Sequence, residues 1–339
     1  MAGLLDYATF SLCFVAIYGL LALGLNVQWG MTGLFNIGVA AFFAVGAYVS
    51  GLLTAVPAAG HLGGFDLPIP LGVAVAVAVA GVLALLIGLV TARLRADYLA
   101  IATIGIAEIV RLTIKTETDL TGGVRGLSGI PRPFDELSWI DFELAYLLLL
   151  IVIVAAVYLA LETARTSGWG RVLRGIRENE DAALAAGKDV ARMRLQAFVL
   201  GACIMGLGGA LYAHFISFIS PDAFKPMLAT FLVWVMLIAG GSGNNKGALL
   251  GALVIWGLWS GTELLTGLLP AELATRAGAI RVLLIGVLLE VILVTRPEGL
   301  LSEASDRARD RRREARTPAV ATSAETSPPE TSPKERRGA

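Results

Sequence analysis

The chain contains few residues whose type and spacing could support catalysis or ligand binding. The stretch 240–247, GGSGNNKG, has Asn245 where a phosphate-binding loop needs a glycine before its lysine. The same stretch contains a Gly-x-Ser-Gly sequence, but no histidine follows His214 to serve as a base for that serine. His61 and His214 lie far apart, with no Cys, Asp or Glu at ligand spacing. We therefore expect no catalytic residue, no metal site and no nucleotide site in this chain.

The densely charged stretch RENEDAALAAGKDV has the pattern of a short helix with a defined start and end. Asn179 can cap the first turn by accepting a hydrogen bond from a free backbone N–H. Glu180 and Asp181 then fall where the helix dipole favours anions. Four alanines follow, and Gly187 can take the left-handed conformation that ends a helix. The pattern predicts a helix over 180–186.

The residues before this helix predict a second, amphipathic helix. Three arginines share one of its faces: Arg171, Arg174 and Arg177. Apolar side chains form its other side: Val172, Leu173 and Ile176. A two-turn helix is marginal in water, so the helix at 180–186 needs a surface to pack on. Either it covers its own loop, or the small residues Ala182 and Ala183 let it dock closely on another protein.

Composition shows that these segments belong to a polytopic membrane protein. The chain of 339 residues is 56% hydrophobic and 16% charged, whereas soluble domains carry about 25% charge. No Asp, Glu, Lys or Arg occurs between Asp6 and Asp66, which leaves room for two spans of about 20 residues. We expect an all-α membrane bundle of about 8–10 helices. The predicted spans are 7–28, 33–56, 68–91, 98–116, 144–161, 195–216, 227–241, 247–268 and 278–295. Cys13 and Cys203 lie within apolar runs and are predicted to be packing residues rather than a disulfide.

The distribution of basic residues predicts the orientation. Four regions that alternation places on one side hold 20 of the 27 Lys and Arg residues: 92–97, 162–194, 242–246 and the segment from Arg296 onward. Since cytoplasmic loops are enriched in Lys and Arg, the loop 162–194 is predicted to be cytoplasmic. The sequence divides into a membrane domain over 1–301 and a polar tail over 302–339. That tail has no aromatic residue and is predicted to be disordered and cytoplasmic.

The connector NVQWGMTGLFNIG, which starts at Asn26, is too short and apolar for an ordinary loop and is predicted to be a broken or re-entrant helix. Broken helices offer backbone groups to polar cargo in transporters. Candidate path residues are Gly30, Thr32, Gly33, Asn36 and, on a later span, Glu108. Asn36 could instead bond structurally, and Glu108 could pair locally with Arg111 one turn away. A stripe of small residues, Gly38, Gly46 and Ser50, is typical of close helix packing.

Several of these stretches resemble one protein family. Asp181-Ala182-Ala183 followed by Gly187 resembles the E-A-A-x-x-x-G coupling motif of bacterial ABC importer permeases, with Asp in place of Glu. The stretches GLNVQWGMTGLFNIGVAAFFAVGAYVSGLL, RLRADYLAIATIGIAEIVRL, LTGGVRGLSGI and GRVLRGIRENEDAALAAGKDV resemble, in matching order, the branched-chain amino acid ABC transporter permease of M-subunit type. The resemblance covers about residues 1–300. The turn at 240–247 departs from the family's usual run by its two Asn and one Lys.

The resemblance implies a transporter subunit rather than an enzyme, located in the bacterial inner membrane. It implies a heterodimer with a sister permease, two cytoplasmic subunits that bind and hydrolyse ATP, and a periplasmic or lipid-tethered binding protein. It implies no cofactor in this chain. The residues it assigns to ATPase coupling are Arg174, Arg177, Glu180, Asp181, Ala182, Ala183 and Gly187. The alternative is a stand-alone channel or secondary transporter for a small polar solute such as urea or an amide, which has no need of a capped docking helix.

Overall fold

The computed structural model describes residues 2–57, 63–91, 96–134, 141–266, 277–301 and 303, and these residues are mainly helical. Its α-helices are α1 (Ala2–Leu25), α2 (Val39–Thr54), α3 (Ile69–Thr91), α4 (Ala96–Thr116), α5 (Thr118–Thr121), α6 (Phe142–Thr166), α7 (Gly168–Glu178), α8 (Glu180–Ala185), α9 (Val190–Ile216), α10 (Leu232–Gly240), α11 (Asn245–Thr266) and α12 (Ala277–Thr295). Shorter elements are the π-helical turns Asn26–Gly30 and Met227–Phe231, the 3₁₀ turns Gly123–Arg125 and Pro221–Phe224, and the strands β1 (Leu127–Ser128) and β2 (Phe218–Ile219). The predicted all-α class is confirmed.

Length and composition qualify several of these helices as membrane spans. In the described part of the chain, five helices are long and apolar enough to cross a bilayer, among them Leu5–Gly30 and Val190–Ile216. The pair Met227–Gly240 and Asn245–Glu263 meets the same test together but is bent by 120°, which brings the number to six. The chain is a multi-pass membrane protein, and the number of 8–10 passes stays a prediction.

Helix α9 lies at the centre of the bundle, where it packs on α1, α2 and α3. Glycines allow this close packing. A Cβ added to Gly46 of α2 would lie 2.0 Å from the carbonyl oxygen of Gly206. One added to Gly24 of α1 would lie 2.6 Å from the carbonyl oxygen of Gly201. Since apolar burial does not drive helices together in lipid, such backbone contact and interhelical hydrogen bonds stabilise the bundle. The packing role predicted for Gly46 is confirmed.

Both cysteines are free and lie among packed helices. Cys13 of α1 is fully buried. Cys203 of α9 faces α3, where a Cβ added to Gly81 would lie 2.8 Å from its sulphur atom. The structure thus confirms two packing residues rather than a disulfide.

One end of the bundle is organised around a buried histidine. Nδ1 of His214 lies 2.9 Å from the Pro131 carbonyl oxygen, and Nε2 lies 2.9 Å from the Ser50 hydroxyl. Because a carbonyl only accepts, Nδ1 carries the proton and Ser50 donates to Nε2. The antiparallel pairing of Leu127 with Ile219 lies beside this contact and ties the loop before α6 to the end of α9.

The opposite end brings together three segments that the distribution of basic residues places on one side. Asn245 bonds to Glu162 at the end of α6, and Arg177 of α7 bonds to Glu303. The amide of Leu300 donates to the Ala239 carbonyl of α10. The shared end of these loops is therefore confirmed, and its assignment to the cytoplasm stays a prediction. Residues 92–95, 302 and 304–339, and with them most of the predicted tail, lie outside the described residues.

Candidate functional site

The short helix α8 has the predicted caps at both ends. The Asn179 side chain accepts a hydrogen bond of 2.9 Å from the Ala182 amide. At the other end Gly187 has φ +71°, in the left-handed region. The Gly187 amide donates to the Leu184 carbonyl at 2.9 Å, and the Lys188 amide donates to the Ala183 carbonyl at 3.1 Å. This is the Schellman arrangement, and it fixes both the length and the exit direction of α8.

Helix α8 buries none of its residues. Leu184 is 52% exposed, and Ala182 is also exposed. A bidentate ion pair of 2.8 and 2.9 Å between Glu180 and Arg194 attaches the helix to the start of α9. The helix is therefore held in place from one side and presents small and apolar residues to its surroundings. Whether α8 covers its own loop or docks on another protein stays a prediction.

Helix α7 packs against the bundle by its apolar side, as predicted. Leu173 and Ile176 are almost completely buried, whereas Arg171 is exposed. A single residue, Asn179, separates α7 from α8, and its amide donates to the Gly175 carbonyl at 2.9 Å. The junction is hydrogen-bonded on both sides, and we call the two helices together the α7–α8 unit.

Arg177, in the last turn of α7, reaches the broken end of α1. Its Nη1 donates to the carbonyl oxygen of Gly30, where the π-helical turn ends. Its Nη2 donates to Glu303 at 2.7 Å. Gly33, with φ +73°, passes so close that an added Cβ would lie 3.3 Å from the Cγ atom of Arg177. The structure therefore joins Arg177, assigned to coupling, with Gly30 and Gly33, assigned to the path.

A buried row of polar side chains extends this contact to α6 and α11. Asn26 accepts a hydrogen bond of 2.8 Å from the Gly243 amide and donates one of 2.9 Å to Asn245. Asn245 donates to Glu162 at 3.0 Å, and Glu162 accepts from Arg165 at 3.1 Å. Hydrogen-bonded networks of this kind, here with Asn26 and Asn245 fully buried and Glu162 partly buried, hold their members in one arrangement. The unusual Asn245 of the 240–247 turn thus connects the broken helix to the first residues of the coupling loop.

The segment 33–38 after the π-helical turn is irregular and internally bonded. Asn36 donates to the Gln28 side chain at 2.7 Å and accepts from the Gly38 amide at 2.7 Å. The backbone carbonyl of Asn36 accepts a hydrogen bond of 3.0 Å from the Trp234 indole N–H. Thr32 donates to the Gln28 carbonyl. The side chains of Asn36 and Thr32 are buried and serve to replace backbone bonds that the break in the helix removes.

An open apolar groove of about 780 Å³ runs beside this segment. It is lined mainly by aromatic and aliphatic residues: Trp29, Phe35, Ile37, Ile104, Pro226, Met227, Thr230, Phe231, Trp234, Ile238 and Ser242. The bend between α10 and α11 and the break after α1 both border it. The aromatic rings contact one another, with Phe35 and Trp234 edge to face at 4.9 Å between centroids. These aromatic residues were missed by sequence reasoning, since each resembles an ordinary lipid-facing residue.

Glu108 lies apart from the residues around Gly30. Its carboxylate forms a two-bond ion pair with Arg111 one turn further along α4, with 3.0 Å between Arg111 Nε and a carboxylate oxygen. The local pair foreseen as an alternative is therefore present. Any role of Glu108 in transport stays a prediction.

The described residues contain no group of three or more His, Cys, Asp and Glu side chains that could hold a metal ion. The residues that sequence analysis missed at this end are Glu162, Asn245 and Glu303. Glu162 and Glu303 are ordinary charged loop residues in the sequence, and their partners are distant along the chain. Only Asn245 carried a signal, because it departs from the family's usual turn.

Comparison with known proteins gives a consistent result. Residues 7–293 match the family model described as "Branched-chain amino acid transport system / permease component". The chain is 30% identical to the high-affinity branched-chain amino acid transport system permease protein LivM of Escherichia coli K12 over 323 residues, covering 88% of this chain and 70% of that protein. It is 28% identical to the probable LivM permease of Methanocaldococcus jannaschii, covering 88% and 94% of the two chains.

The LivH permease of Escherichia coli K12 also matches, at 26% identity over 251 residues, or 70% of this chain and 79% of that protein. No solved structure matches the chain. The family model covers most of the described bundle, including the broken helix and the α7–α8 unit. The chain therefore belongs to the branched-chain amino acid ABC transporter permeases, of the M-subunit type.

Proposed function

We propose that this chain is the M-type permease subunit of an ATP-driven importer for branched-chain amino acids, and that cytoplasmic ATPases dock on α8. The observation that carries the proposal is the capping and exposure of α8. The helix is capped at both ends, buries none of its residues and exposes Leu184. A helix placed in a groove needs small residues where backbones approach and a fixed orientation, and Ala182 and Ala183 with Gly187 supply both.

The translocation path is proposed to follow the groove beside the broken helix. Its aromatic and aliphatic lining suits the apolar side chain of a branched-chain amino acid, and the broken helix borders it through Trp29, Phe35 and Ile37. The groove is open on one face, and a sister permease of the LivH kind would close it. The similarity of this chain to both LivM and LivH proteins supports such a pairing.

The remaining partners follow from the same proposal. ATP is bound and hydrolysed by the ATPase subunits, this chain binds no cofactor, and a binding protein delivers the amino acid on the periplasmic side of a bacterial inner membrane. Residues 1–301 form the permease domain, with the coupling loop 162–194 and the tail 302–339 in the cytoplasm. The residues proposed for ATPase coupling are Arg174, Arg177, Glu180, Asp181, Ala182, Ala183 and Gly187.

Docking on α8 is tested by Ala182→Trp, which adds bulk at an exposed position without disturbing either cap. We expect normal amounts in the membrane, normal assembly with the sister permease, and a tenfold or larger loss of ATPase affinity, about 1.4 kcal/mol or more. Co-purification and titration of the ATPase measure this. Thr166→Trp, at an exposed position at the end of α6, is the matched control and should bind normally. Full ATPase binding by Ala182→Trp would disprove docking on α8.

A further inference from the structure

The segment after α12 crosses the glycine turn between α10 and α11. Leu300 and Leu301 donate backbone hydrogen bonds of 2.9 Å to the carbonyls of Ala239 and Gly240. Asn244 donates to the Leu301 carbonyl at 3.3 Å. Glu303, two residues further on, contacts α7 through Arg177. The family match ends at residue 293, so this segment lies beyond it.

Glu303 meets Arg177 at this place, with 2.7 Å between Oε2 and Nη2. Both side chains are largely buried, at 14% and 23% exposed. The other terminal nitrogen of the guanidinium donates to the Gly30 carbonyl. A guanidinium is a rigid planar fork, so fixing one arm also fixes the direction of the other. Glu303 thereby orients the Arg177 guanidinium toward the broken end of α1.

We infer that Glu303 is a positioning residue for transport: it holds Arg177 in the orientation that links the α7–α8 unit to the broken helix. This inference rests on the proposed function, in which an ATPase docks on α8, and it adds that motion of the docked ATPase displaces α8. Through the hydrogen-bonded α7–α8 unit, Arg177 carries that motion to Gly30 and to Gly33 beside it. Without Glu303, Arg177 keeps its place in α7 but loses the constraint that makes the link rigid.

The experiment measures the coupling ratio, defined as amino acid transported per ATP hydrolysed, for the complete transporter in proteoliposomes. Glu303→Gln keeps the size of the side chain and removes its charge. We expect a several-fold fall in the coupling ratio, with membrane amount and ATPase co-purification at wild-type values. Glu298→Gln, an exposed carboxylate on the same segment, is the matched control and should keep the wild-type ratio. Glu303→Asp retains the charge on a shorter side chain. Its coupling ratio should lie between that of Glu303→Gln and that of the wild type.

Arg177→Gln and the double variant complete the test. If Glu303 acts through Arg177, the double variant will be no worse than the poorer single variant, whereas additive losses would overturn the inference. An unchanged ratio in Glu303→Gln would also overturn it. Loss of membrane amount or of ATPase binding in Glu303→Gln would overturn it as well, since that indicates a merely structural role. Failure of the wild-type complex to bind ATPase would instead refute the proposed function itself.

Discussion

Glu108 and Arg111 form a charge pair within α4, the helix of the predicted span 98–116. The pair lies within α4, with Glu108 40% and Arg111 15% exposed. An unpaired charge near the middle of a membrane helix costs about 2.5–3.5 kcal/mol on insertion scales. Two hydrogen bonds between neighbouring side chains lower that cost, because each charge then has a partner inside the membrane.

This pairing predicts a specific pattern of stability. Glu108→Gln leaves Arg111 unpaired and should reduce membrane-inserted protein and thermal stability more than the double variant Glu108→Gln, Arg111→Gln. Expression level and thermal unfolding in detergent measure the difference. If both variants insert normally and both lose transport, then Glu108 is not needed for pairing with Arg111. That result would indicate a role for Glu108 in the translocation path.

At the scale of single residues, sequence reasoning was reliable where partners are close in the chain. The caps at Asn179 and Gly187 and the Glu108–Arg111 pair are local, and their geometry follows from helical spacing. The contact of Glu263 with Arg281, at 3.7 Å, was not predictable, because its partner lies on the next helix. Asn36 illustrates an intermediate case, since its type predicted hydrogen bonds but not their partners.

Among the elements, α8 depends for its exit on one residue in a left-handed conformation. Gly187 has φ +71°, and open space surrounds the position where a Cβ would be. A substitution there therefore tests backbone conformation alone and not packing. A β-branched residue in this region is a conformational outlier, with a cost of about 1–2 kcal/mol for an ordinary L-residue.

We predict that Gly187→Val loosens the end of α8 and weakens ATPase binding, while Gly187→Asn, which tolerates the left-handed region, stays close to wild type. Hydrogen exchange of the amides at 187 and 188 reports the loss of the Schellman bonds, and ATPase titration reports the effect on docking. Equal behaviour of the Val and Asn variants would show that the left-handed turn is not what orients α8.

The elements themselves were largely predictable, and their junctions were not. Each of the nine predicted spans overlaps a helix of the described chain, and five of these helices, with the bent pair of α10 and α11, are long and apolar enough to cross a bilayer. The π-helical turn Asn26–Gly30 and the irregular segment after it were foreseen only as a broken helix. Their course depends on Arg177, Asn245 and Trp234, which belong to other helices. No local pattern encodes such contacts.

At the scale of the whole molecule, the two ends of the bundle have different roles. One end is closed by the buried contact of His214 with Ser50 and Pro131. The other end gathers the α7–α8 unit, the glycine turn and the segment carrying Glu303 around the broken end of α1. The concentration of Lys and Arg at this second end predicts that it faces the cytoplasm, where ATP is available.

The central claim is that this chain moves amino acids only as part of an ATP-driven complex. The most direct measurement is uptake of radiolabelled leucine into proteoliposomes that contain the chain, its sister permease and the ATPases, with the binding protein and leucine on one side and ATP on the other. We predict accumulation above the external concentration with ATP, and none with a non-hydrolysable analogue or without the ATPases. Equal movement of leucine or urea through this chain alone, independent of ATP, would contradict the account and establish a stand-alone channel or secondary transporter.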